Sequence, residues 1–65
     1  MNTDRTNEYL YLAQWLDDNG DAYAASEFKA PDLTAAYRLA RAHQERFPII
    51  NGMRLNAADL VVERV

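Results

Sequence analysis

The chain has 65 residues, with ten acidic and seven basic side chains, one histidine, no cysteine and a net charge of −3. That length makes a single domain, 1–65, which buries only about 60% of its unfolded surface and gains stability from close packing or from a partner. The composition excludes disulfides and thiolate metal sites, one histidine cannot build a metal site alone, and no apolar run is long enough to span a bilayer.

The start, Met1-Asn2-Thr3-Asp4-Arg5, is polar and shows no signal-peptide pattern. A cytoplasmic protein without cofactor is therefore the expectation. Charge is uneven: residues 1–32 carry −5 and residues 33–65 carry +2. The acidic front half argues against a nucleic-acid binder.

Two apolar runs, Glu8–Leu16 and Ala22–Lys29, flank Asp17-Asp18-Asn19-Gly20-Asp21. Asn-Gly suits a type I′ hairpin turn, in which both central residues need φ > 0. A hairpin centred there pairs Leu16 with Tyr23, Trp15 with Ala24, Ala13 with Ser26 and Tyr11 with Phe28. One face then carries Tyr9, Tyr11, Ala13, Trp15, Ala24, Ser26, Phe28 and Ala30, which suits packing under a helix. The opposite face carries Leu10, Leu12, Gln14, Leu16, Tyr23, Ala25, Glu27 and Lys29. A helix over 7–18, capped by Thr6 and ended by Asn19-Gly20, also fits the apolar spacing. The aromatic content of both arms favours the hairpin.

Pro31 and Pro48 bracket a helix predicted over 33–46. Asp32 can cap it, Pro48 stops it at Phe47, and Leu33, Ala36, Ala40, His43 and Phe47 form its apolar stripe. Ile49–Leu55 is a further apolar stretch with its own Asn-Gly turn. Leu60–Val65 is β-branched and reads as a last strand, although Asn56–Asp59 could open a short closing helix instead. The fold class expected is α+β: a small antiparallel sheet, ββαβ with room for one more short strand, and one helix packed on one face.

The residues offer little chemistry. Asp17, Asp18 and Asp21 lack the spacing of a calcium loop and read as a solvated turn. His43 reads as a half-buried structural histidine, and the sole serine, Ser26, belongs to no nucleophile motif. No catalytic, metal-binding or cofactor-binding residue is expected, and the chain reads as a non-enzyme. The helix can cover only one side of the sheet, and an uncovered apolar side marks an association site. The partner-binding residues expected are Leu12, Asp17, Asp18, Asp21, Tyr23 and Glu27, with acids meeting a basic surface. The alternative is a nucleic-acid-binding module that uses Arg38, Arg41 and Arg46, with Tyr37 stacking on a base, and that dimerises through exposed sheet edges.

In size, acidity, absence of cysteine and ββαβ layout, with a strand running through Phe28-Lys29-Ala30-Pro31-Asp32 into a helix, the chain resembles small phage-encoded inhibitor proteins of the anti-CRISPR kind. The resemblance covers general layout and no diagnostic motif, so it transfers no residue role. It implies an inhibitor that binds a host defence complex in the host cytoplasm, at a basic surface meant for nucleic acid.

Overall fold

A computed structural model describes residues 7–65. Five strands and one α-helix follow in the order β1 (Tyr9–Leu16), β2 (Ala22–Ala30), α1 (Leu33–Arg46), β3 (Ile49–Ile50), β4 (Met53–Arg54) and β5 (Leu60–Arg64). A 3₁₀ turn at Ala57–Asp59 leads into β5. The main sheet is antiparallel in the order β2-β1-β5, and α1 packs across one side of it. The expected α+β architecture is therefore the one observed. Residues 9–16 are strand and not helix, and Thr6, the cap proposed for the helical alternative, lies outside the described residues.

Strand alternation decides the core. Tyr11, Ala13 and Trp15 are buried on β1 while the residues between them are not, as a period of two requires. Ala30, Leu60, Val62 and Leu55 join them. From the helix come only Ala36 and Ala40. Ala13, Ala30, Ala36 and Ala40 are all fully enclosed, so small side chains line the contact between the two layers. Trp15, also fully enclosed, supplies the bulk, and its indole N–H donates to Gln44 Oε1 of the helix at 2.9 Å.

The helix has the expected bounds. Asp32 is extended, and its carboxylate accepts the Ala35 N–H at 2.8 Å, which satisfies one orphan donor of the first turn. Phe47 has left helical geometry at φ −128°, as the following proline demands. Its ring still lies against His43 of the apolar stripe, and Phe47 is half exposed. Leu33, at the other end of the stripe, is exposed too.

The first hairpin turn differs from expectation. Asn51 is the only non-glycine residue with positive φ among those described, so Asn19 does not adopt a type I′ conformation. The Gly20 N–H donates to the Asp17 carbonyl at 2.9 Å and the Asp17 N–H to the Asp21 carbonyl at 2.8 Å. Together with Gly20 at φ +85°, this is a type I turn closed by a left-handed glycine. The cause is Asp17, whose Oδ1 accepts the N–H groups of both Asn19 and Asp21. The three-residue loop shifts the pairing by one, so Leu16 meets Ala22 and not Tyr23. A bulge at Tyr23 absorbs the shift, and from Trp15↔Ala24 to Tyr9↔Ala30 the register is the one expected.

The Asn-Gly conformation forecast for residues 19–20 occurs instead at Asn51-Gly52, with φ of 52° and 80°. It joins β3 to β4 in a two-residue hairpin. The Leu55 N–H closes the base of this ribbon on the Pro48 carbonyl at 2.8 Å, and Leu55 anchors it in the core. At 56–65 both sequence alternatives appear in series. Asn56 caps the 3₁₀ turn by accepting the Ala58 N–H, and the last strand follows at once.

Candidate docking face

The side of the sheet away from α1 is built by the outward positions of β1. Leu10, Leu12, Gln14 and Leu16 form its central column. Pairing on both sides fixes their neighbours. Leu12 lies between Glu27 of β2 and Glu63 of β5, and Gln14 between Ala25 and Val61. Leu10 faces Lys29, and its carbonyl accepts the Val65 N–H at 2.9 Å. Two strand spacings separate the carboxylate-bearing positions 27 and 63, about 10 Å across the sheet. Leu12 thus lies between two acids on this side of the sheet.

The described elements gather on the opposite side. The helix, Ile50 of the ribbon and Leu55 all pack on the core, so no other described element covers the leucine column. Leu10 is 36%, Val61 41% and Val65 72% exposed, while Leu12 and Leu16 are half-buried by their neighbours. A lysine or arginine laid on this side of the sheet would rest its stem on Leu12 and bring its charge to Glu27 or Glu63.

The six residues expected to bind a partner do not all lie here. Leu12 and Glu27 do. Asp17, Asp18 and Asp21 are exposed at the hairpin tip, at the Leu16 end of the column. Asp17 is already engaged in holding the turn. Tyr23 is not on the open side: the bulge takes it out of alternation, and its ring packs against the core. Its hydroxyl donates to Asp59 Oδ2 at 2.6 Å and accepts the Asn56 N–H at 3.3 Å. Burial first, and the hydrogen bond to the Asp59 carboxylate second, hold its phenol above the usual pKa of 10.0. Glu63 and Val61 complete the face and were missed, because the sequence does not say which strand flanks the first on its free side.

Arg38, Arg41 and Arg46 are exposed on α1, but they do not form one line. Arg41 and Arg46 point about 140° apart around the helix axis. Tyr37 packs against the core and so is not offered for base stacking.

One juxtaposition was not anticipated. Ser26 Oγ and His43 Nε2 are 3.2 Å apart. The imidazole also lies among Trp15, Phe28 and Phe47, with ring centroids 6.0, 5.7 and 5.1 Å away. Both residues had been placed on faces that turn inward, so the signal existed and was not joined. The pair ties helix to sheet. Chemically it is a nucleophile beside a base, and nucleophilic catalysis further needs a group to orient the base and donors to hold an oxyanion. A groove of about 340 Å³ runs beside His43, lined by Phe28, Leu39, Ala42, Arg46 and Phe47, and Ser26 is not part of its lining.

Comparison of the chain with protein-family models, curated proteins and solved structures found no match.

Proposed function

We propose that this protein is a non-enzymatic docking protein whose open sheet face binds a basic, partly apolar surface of a larger protein or ribonucleoprotein complex and so blocks it. The observation that carries the reading is the position of Leu12, uncovered at the centre of the sheet and flanked by Glu27 and Glu63. Charge steers and orients such an encounter, while the desolvated apolar column supplies contact energy. The acids at the hairpin tip extend the same sign of field beyond the leucines. A basic groove that serves nucleic acid has the matching chemistry, and it is the target that the resemblance in layout to small phage-encoded inhibitors implies.

The test is affinity capture from the source cell with the wild-type chain and with Leu12→Lys, alongside circular dichroism of both. The expected result is a specific complex held by the wild type and at least about tenfold weaker with Leu12→Lys, the folded signal being kept. Equal capture by both chains would discard the face as the interface. A free chain that binds DNA or RNA, with log affinity falling linearly in log salt, would favour the helix arginines instead.

A further inference from the structure

We propose that β2 pairs antiparallel with β2 of a second copy of this chain, about a two-fold axis that sets Phe28 opposite Phe28. The strand is the outer one in the order β2-β1-β5, so among the described residues the main-chain groups on its far side have no strand partner. Its regular stretch, Ala24–Ala30, is bounded by the bulge at Tyr23 and by Pro31, and contains no proline. Nothing in that stretch blunts the edge except two charges, Glu27 and Lys29.

Those charges select the register. In an antiparallel pair, opposed side chains share a face, so a two-fold axis must pass through a residue and not between two. An axis at 27 would set Glu27 against Glu27, which destabilises. An axis at 26 would give a ladder of equal length, 24–28, but would set Glu27 only against Ala25. An axis at 28 sets Glu27 of each copy against Lys29 of the other, twice over, with the ladder covering 26–30.

The helix layer presents a second, independent feature at the same edge. The groove between β2 and the flank of α1 is lined by Phe28, Leu39, Ala42 and Phe47, with His43 and Arg46. Leu39 is 41% and Phe47 50% exposed. In the dimer the Phe28 rings meet, and each groove opens toward its symmetry mate. The strand ladder and the apolar contact are thereby buried together, as an isologous interface requires.

This inference concerns the sheet edge and shares only Glu27 with the docking face. Sedimentation equilibrium of the full chain over a concentration series tests it. The wild type should dimerise. Glu27→Lys and Lys29→Glu each turn two attractive cross-strand pairs into repulsive ones, and each should weaken the dimer about tenfold. The double swap E27K/K29E restores opposite charges at both places and should restore the dimer. Val61→Lys, on the leucine side of the sheet but on β5 and so two strands from this edge, should leave the mass unchanged, which separates failure here from failure of the docking reading. A wild type that stays monomeric at millimolar concentration, or a dimer indifferent to the single swaps, would overturn the proposal.

Discussion

Trp15 and Tyr23 were assigned opposite fates from the sequence, core and open face, and the structure makes both of them structural. Trp15→Ala would remove the largest fully enclosed side chain and leave Gln44 without its donor. Denaturant unfolding should show a loss of about 3–5 kcal/mol. Tyr23→Phe keeps the ring and deletes only the hydroxyl bridge to Asp59 and the Asn56 N–H, so about 1 kcal/mol should go. The phenol also imposes a pH dependence. Its folded pKa is raised above the unfolded 10.0, so its contribution is complete below pH 10 and is lost as pH climbs through the folded value. Unfolding curves taken from neutral pH to well above pH 10 should converge for wild type and Tyr23→Phe as the pH rises.

At the level of elements, the hairpin tip holds three aspartates that look equivalent in the sequence and are not. Asp17 Oδ1 accepts two backbone N–H groups, and Asp18 and Asp21 offer exposed charge. Asp17→Ala should therefore cost about 1–2 kcal/mol in thermal or chemical unfolding, while Asp18→Ala should fall within about 0.5 kcal/mol. This turn also shows where sequence reasoning stops. Helix α1 was legible to the residue, because two prolines and a capping aspartate are local signals. Most of the hairpin register was legible too, since one slip would turn every aromatic residue outward. The turn type was not, because a single carboxylate outweighed the intrinsic preference of Asn-Gly. That choice lengthened the loop, created the bulge and carried Tyr23 off the candidate face. The third strand of the sheet was recognised as a strand, but its place beside β1 is a long-range fact that no local pattern encodes. Glu63, the second acid beside Leu12, went unseen for that reason.

For the molecule as a whole, a three-stranded sheet with one helix has two sides and two edges, and the described residues fully cover only one side. The interior is thin: four enclosed alanines bring the layers together, and one indole fills much of what remains. A domain of this size gains stability from any partner that binds only its folded form. Among the described residues, the leucine column, the far side of β2 and the groove at Phe28 are the places where such a gain is available.

Trp15 has a practical consequence, since it is the single tryptophan of the chain and is shut inside the sandwich. Its fluorescence answers to the separation of helix from strands and to nothing on the outer surface. Assembly at the leucines should leave the emission wavelength where it is, and loosening of the interior should move it to the red. The protein thus carries an internal optical gauge that tells a lost interface from a lost fold.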